Sequence, residues 1–358
     1  MDQLRFVRAD FEDLEPYIAV KPLDVLAKEI GVGMEQIAKL DANENLYGPH
    51  PAVRDAIANA DLHIYPDPGQ DRLRQALGEY VGVSASKVVA GSGADDLIDI
   101  LIRLVAPPAI AVAPPSFGMY AFLARIAGAS VFEAPRSAEH FGIDIEGIRR
   151  AVTEGARMLF VASPNNPTGG ALKRTEVQEL CTLDALVVVD EAYIEFGGES
   201  SVGLLDDFPN LVVLRTFSKW AALAGLRVGY AICREELAAA MMSIKQPYNV
   251  NAAADVAARA ALAHRDEIFE QVRCIVSERN RISSEVGALG WLRPYPSVAN
   301  FVLFQVGGVA ERLQQQLRDR GVLVRHYSTP LLSEFVRISA GRPKDTRRLL
   351  DALEEVGP

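Results

Sequence analysis

Residues 185–193, ALVVVDEAY, run through five apolar positions and then meet two carboxylates at once. Valines without polar alternation mark a strand covered on both faces, as in a parallel sheet flanked by helices. The same texture recurs in KVVAG (87–91), AIAVAP (109–114), MLFVAS (158–163), NLVVLRT (210–216) and RVGYAIC (227–233). Helical patterns separate several of these runs. After GSGADD (91–96), Leu97, Ile98, Leu101, Leu104 and Val105 form one apolar face. This alternation predicts an α/β fold over residues 45–245, a large domain with a mostly parallel central sheet flanked by helices.

From residue 250 the pattern changes. Residues 251–289 read as one long helix leading out of the large domain. A strand ANFVLF (299–304), a helix VAERLQQQLRDRG (309–321) and strands VLVRHY (322–327) and EFVRISA (334–340) follow. A last helix opens at Pro343, since proline is tolerated in a first turn. Residues 246–358 together with 1–44 are expected to form a smaller α+β domain packed on the first.

The bulk composition narrows the function. The 358 residues are 49% hydrophobic and 23% charged, ordinary for a globular protein of more than one compact unit. With 37 basic against 47 acidic side chains, the net charge of −10 argues against nucleic acid as the main partner. A local basic pocket for a small anion remains open. Cys181, Cys233 and Cys274 are widely spaced and read as reduced thiols of a cytoplasmic protein, not a metal site. No run approaches a membrane span, and residues 1–17 lack the apolar core of a signal peptide.

Four stretches carry candidate chemistry. In GSGADD a strand ends, two glycines turn the chain and a helix opens near Ala94 and Asp95, where free N–H groups suit a phosphate. A plain helix start capped by Ser92 or Asp95 fits the same residues. In SPNNPTGG (163–170), Asn165 or Asn166 can present an amide N–H to a ligand at the carboxyl end of a buried strand. An ordinary turn also favours these residues. Asp190 ends another buried strand, where a carboxylate costs desolvation unless a cation or donor meets it. Tyr193 can offer its hydroxyl to the same ligand, while a helix cap or structural ion pair is the alternative. Lys219 stands among apolar residues with Thr216 and Ser218 before it and Arg227 after it, a fork of donors suited to phosphate. In a partly dry pocket near another cation, such a lysine loses its proton and attacks carbonyls. Taken together, the set suits pyridoxal 5′-phosphate: an aldehyde for Lys219, a ring nitrogen for Asp190, a phenolic oxygen for Asn166 and Tyr193, and a phosphate for Arg227.

The order N-P-T-G (166–169), D-x-x-Y (190–193), S-K (218–219) and Arg227 resembles the fold type I PLP-dependent aminotransferases. LDANENLYGP (40–49), HIYPDPGQDRLRQAL (63–77), PPSFGMY (114–120), ANFVLF and VRISAG (336–341) narrow the resemblance to the histidinol-phosphate aminotransferases, from Tyr17 to the C-terminus. That resemblance implies transfer of an amino group between L-histidinol phosphate and 2-oxoglutarate. It implies that Lys219 bonds to the cofactor aldehyde and then shuttles a proton. Asp190 would pair with the pyridine nitrogen, Asn166 and Tyr193 with the phenolic oxygen, and Phe117 would stack on the ring. Ala94, Asp95, Thr216, Ser218 and Arg227 would hold the phosphate, joined by Tyr65 from a partner subunit of a homodimer. Arg337 would grip the substrate's anion, with Arg325, Tyr17 and Asn43 as further pocket positions. An arginine pair can serve a phosphate and a carboxylate in turn. Two departures touch substrate recognition: Leu46 replaces the family's proline, and RHYSTPLLSEFVR (325–337) lacks its Pro-Gly-Leu element. They keep an aromatic amino acid aminotransferase and a threonine-phosphate decarboxylase within reach.

Overall fold

The computed structural model describes residues 6–8 and 21–358; Tyr17 lies outside the described residues. Seven strands form the central sheet in the order Val88–Gly91, Gly229–Ile232, Leu211–Thr216, Leu186–Asp190, Met158–Ala162, Ala109–Val112 and Ser130–Glu133. The unbroken valine runs have a direct cause. Successive residues of a strand point to opposite faces, and both faces here carry a core. Val188, Phe160, Val212 and Leu214 pack with Leu97, Ile98 and Leu101 on one side. Val187, Val189, Leu159 and Val213 pack with Trp220, Ala254 and Ala257 on the other. Each valine so buried contributes about 1.5–3 kcal/mol relative to an exposed one.

Two details differ from the sequence reading of this sheet. Gly229–Ile232 runs antiparallel to both its neighbours; a strand buried on both faces looks the same in either direction. Ser130–Glu133 is an added edge strand with an exposed or half-buried pattern, so it lacks the apolar run that marked the others. The expected long helix is two, Ala252–Ala263 and Arg265–Ala288, broken at His264 with φ −110° and ψ 23°.

The remaining strands form two small sheets. Arg325–His326, Phe335–Ser339, Phe301–Gln305 and Arg293–Pro294 make an antiparallel four-stranded sheet. Ala38–Lys39 pairs in parallel with Val322–Leu323, so VLVRHY divides between two sheets. Ser339 N–H donates to Leu40 O at 2.9 Å, which fastens the 40–45 segment to the Phe335–Ser339 strand. Among the described residues, no helix is long and apolar enough to cross a membrane.

Candidate active site

The parallel register sets Ala162 beside Asp190 and Asp190 beside Leu214, so three strands deliver their following loops to one edge of the sheet. Parity then separates the two adjacent carboxylates. Glu191 is fully buried and bonded to Arg215 at 2.9 Å, with Ser200 and the Ser201 N–H completing its shell. Asp190, 6% exposed, meets only neutral donors: the Tyr120 hydroxyl at 2.5 Å and the Ala192 N–H at 3.0 Å. Burial raises its carboxyl to about 6, against the pull of those two bonds. The structural ion pair anticipated for this motif therefore belongs to Glu191. Tyr120 was missed by sequence reasoning; the available signal was its place three residues after Phe117, whose ring meets it edge-on at 5.5 Å.

Lys219 makes no hydrogen bond or ion pair among the described residues; the Tyr193 ring lies 5.7 Å from Nζ. Burial, reinforced by Arg337 and opposed by Glu44, pulls its amine down to about 8. Just before it, the Thr216 and Ser218 hydroxyls bond each other at 2.9 Å. The nearby helix Ala94–Val105 starts at Gly93 with no side-chain cap, so neither Ser92 nor Asp95 caps it. Gly91 and Thr216 both pair with Gly229. A Cβ on Gly229 would stand 2.9 Å from Ala94 N, so glycine lets the helix start approach Thr216. Arg227 lies against Gly93, whose own Cβ would meet Nη2 at 2.6 Å, and pairs with Asp95 at 2.9 Å. An uncapped helix start, a guanidinium and paired hydroxyls make a cradle for a phosphate.

Of the two asparagines, Asn165 is fully buried and holds Pro115 O and Thr168 Oγ1, a structural role. Asn166 accepts from Arg337 Nη1 at 2.6 Å. Arg337, 6% exposed, also donates to Asp41 O, packs over Phe301 at 5.4 Å, and keeps a buried Nε with no partner among the described residues. Arg325 stands directly opposite it in the ladder, and both guanidiniums flank the Tyr327 ring, at 5.5 and 5.9 Å. Neither arginine pairs with a carboxylate among the described residues. Asn43 is turned to Tyr193 and donates to its hydroxyl at 3.0 Å. Burial raises the Tyr193 phenol, against Arg337 and that bond. Tyr65 is 78% exposed and stacks on Tyr248 at 4.5 Å. Leu46 packs half-buried against the core.

Pyridoxal 5′-phosphate fits this donor set. An unpaired desolvated amine suits its aldehyde, a carboxylate without a cation suits its ring N–H, and the helix-start cradle suits its phosphate. The His50, His264 and Glu267 trio is wired differently. His50 Nδ1 accepts from Ala52 N–H, so Nε2 carries the proton that Glu267 takes at 2.7 Å. That leaves Nε2 no lone pair for an ion.

Comparison with known proteins agrees with this chemistry. Residues 35–353 match the family described as aminotransferase class I and II. A histidinol-phosphate aminotransferase of Roseiflexus castenholzii is 46% identical over 363 residues, covering 98% of each chain. The chloroplastic histidinol-phosphate aminotransferase 1 of Arabidopsis thaliana is 41% identical, covering 98% of this chain and 85% of its own. The crystal structure of histidinol-phosphate aminotransferase from Sinorhizobium meliloti in complex with pyridoxal-5′-phosphate superposes with a TM-score of 0.88. It is 30% identical and covers 98% of this chain and 97% of that one. On these matches, the chain belongs to the class I and II aminotransferases, in the histidinol-phosphate aminotransferase group.

Proposed function

We infer that this chain is a PLP-dependent aminotransferase that interconverts L-histidinol phosphate and 2-oxoglutarate with imidazole acetol phosphate and L-glutamate. The observation that carries the reading is a charge pattern. A desolvated lysine and a buried carboxylate both lack ionic partners, and two arginines face each other across the adjoining sheet. Like charges directly opposite in a ladder destabilise it, so the pair makes physical sense as a site for an anion. Histidinol phosphate brings a remote phosphate and glutamate a second carboxylate, and Arg325 with Arg337 can grip either.

Pyridoxal 5′-phosphate, when bound, supplies a carbonyl for amines and a protonated ring that withdraws electrons from the substrate Cα. The chain's residues do the rest. Asp190, anionic at neutral pH, holds the proton on the ring nitrogen. With the cofactor bound, Lys219 Nζ, whose amine is pulled down to about 8, would be the base that moves the proton at the substrate Cα. Asn166 and Tyr193 would hold the phenolic oxygen, Phe117 would lie against the ring, and Ala94, Asp95, Thr216, Ser218 and Arg227 would seat the phosphate. Arg227, paired with Asp95 at 2.9 Å, would turn its guanidinium to the phosphate. Residues 45–245 carry the cofactor, and 1–44 with 246–358 carry the substrate arginines. The enzyme works in the cytoplasm as a homodimer in which Tyr65 reaches the partner's phosphate site.

A half-reaction panel tests the function. The cofactor-loaded enzyme is mixed separately with histidinol phosphate, phenylalanine and threonine phosphate while the bound cofactor's absorption is followed. Conversion is expected to be fastest with histidinol phosphate. Rapid conversion by phenylalanine alone would make it an aromatic aminotransferase; carbon dioxide from threonine phosphate without 2-oxoglutarate would make it a decarboxylase.

A further inference from the structure

Asn43 has an unusual degree of commitment for a pocket residue. It is 1% exposed and sits in the left-handed region at φ 55°. Its N–H donates to Ser339 Oγ at 3.0 Å, and its carbonyl accepts from Asn300 Nδ2 at 3.0 Å. Its Oδ1 accepts from Ser339 Oγ at 2.8 Å, and its Nδ2 donates to the Tyr193 hydroxyl at 3.0 Å. These bonds determine which way the amide lies. Ser339 Oγ already accepts the Asn43 N–H, so its single proton goes to the Asn43 side chain, and the atom facing it is oxygen. Turning the amide over would set Ser339 Oγ against two donors and leave a buried hydroxyl proton without an acceptor.

The consequence falls on Tyr193. Its oxygen accepts from Asn43, and among the described residues it has no other hydrogen-bond partner. The charged groups around it are Lys219, Arg337 and Asp190. Lys219 lies at the ring face and Arg337 is a donor only. Asp190 turns its oxygens to Tyr120 and Ala192, and among the described residues no hydrogen bond joins it to the Tyr193 hydroxyl. The phenol proton is left for a bound ligand. Arg337 and Ser339 sit two apart on one strand and so on one face of it. A single strand thus delivers both an anion-binding guanidinium and the hydroxyl that orients Asn43.

We propose that Ser339 and Asn43 are positioning residues that set the direction of the Tyr193 proton, holding the phenol as a donor toward the cofactor's phenolic oxygen. The proposal rests on the aminotransferase reading. A donor at that oxygen would stabilise negative charge there, so the bound cofactor's absorption would titrate at lower pH. Without Ser339 the Asn43 amide is free to turn and take the Tyr193 proton.

The test is a pH titration of the bound cofactor's absorption in the loaded enzyme, with cofactor affinity of the apo-protein measured alongside. Ser339→Ala is expected to move the midpoint up by about one pH unit, the size of one lost hydrogen bond. Ser339→Thr, which keeps the hydroxyl, is expected to restore the wild-type midpoint. Should the alanine variant not fold, Ser339→Cys, a weaker donor of similar size, is expected to move the midpoint part of the way. In a Tyr193→Phe background the Ser339→Ala change is expected to add nothing, since both act through one proton. An unmoved midpoint, or a shift that persists without the Tyr193 hydroxyl, overturns the proposal while leaving the enzyme an aminotransferase. A wild-type protein with no lysine-dependent absorption overturns the functional reading, and the proposal with it.

Discussion

At the scale of single residues, the site is defined by which charges are left uncompensated. Asp190 and Glu191 are neighbours in sequence, yet only Glu191 has its arginine. A buried carboxylate without a cation strains the apo-protein, and the sign of its effect can be worked out. The Asp190 carboxyl lies near 6 in the folded chain against an ordinary 3.8. The folded state therefore binds more protons between roughly pH 4 and 6, and stability falls as pH rises through that window. Asp190→Asn is expected to stabilise the apo-protein by about 2–3 kcal/mol at pH 7.5 and hardly at all at pH 4. Urea denaturation at the two pH values measures the difference, and cofactor affinity is expected to drop in the same variant. Lys219→Ala is expected to abolish the bound cofactor's characteristic absorption and cut transamination by about 10³-fold or more. Full turnover in that variant would remove Lys219 from the mechanism. Tyr120→Phe deletes a 2.5 Å bond to Asp190 and is expected to lower kcat more than it raises KM, because Asp190 is the carboxylate proposed to meet the cofactor's ring nitrogen.

At the scale of elements, the strands that hold the site were the most legible part of the chain, because burial on both faces writes itself into unbroken apolar runs. Direction was not legible: Gly229–Ile232 packs the same whichever way it points. The edge strand Ser130–Glu133 carries too little buried surface to announce itself. Nor did the helical pattern at 251–289 disclose the break at His264, since both helices keep polar and apolar faces through it. The short ladder between Arg325–His326 and Phe335–Ser339 carries the substrate prediction. Arg325→Met removes a like charge opposite Arg337 and is expected to stabilise the apo-protein by about 0.5 kcal/mol. Its KM for the phosphorylated donor is expected to rise roughly tenfold, the worth of one charge-assisted bond. Arg337→Ala is expected to raise KM in both half-reactions with the cofactor still bound. Loss of the cofactor instead would assign Arg337 to a different role.

At the scale of the whole molecule, the proposed homodimer makes its own prediction about the surface. Leu62, Ile64, Tyr65 and Tyr248 are all exposed, between 45% and 78%, an apolar group that a monomer would leave in water. Sedimentation is expected to show a species of twice the chain mass. Tyr65→Asp combined with Tyr248→Asp is expected to yield monomers that hold the cofactor more weakly. A wild-type monomer with full cofactor affinity would exclude a shared site.

The sequence by itself determined the fold class, because apolar periodicity and turn composition are local properties of a chain, and its motif order supplied the candidate site residues through a family resemblance. Lys219, Asp190, Tyr193, Asn166 and Arg227 stand out by their own chemistry in the sequence, and Arg337 through the resemblance. What only the tertiary structure decided was how the other member of each pair is occupied: Glu191 is held by Arg215 and Ser200, and Asn165 by Pro115 O and Thr168 Oγ1. It alone brought Tyr120 to Asp190, set Arg325 against Arg337, and aimed Asn43 at Tyr193 through Ser339, 296 residues away in the chain. Those choices follow from strand register and long-range hydrogen bonds, which depend on residues far apart in sequence and so leave no local pattern to read.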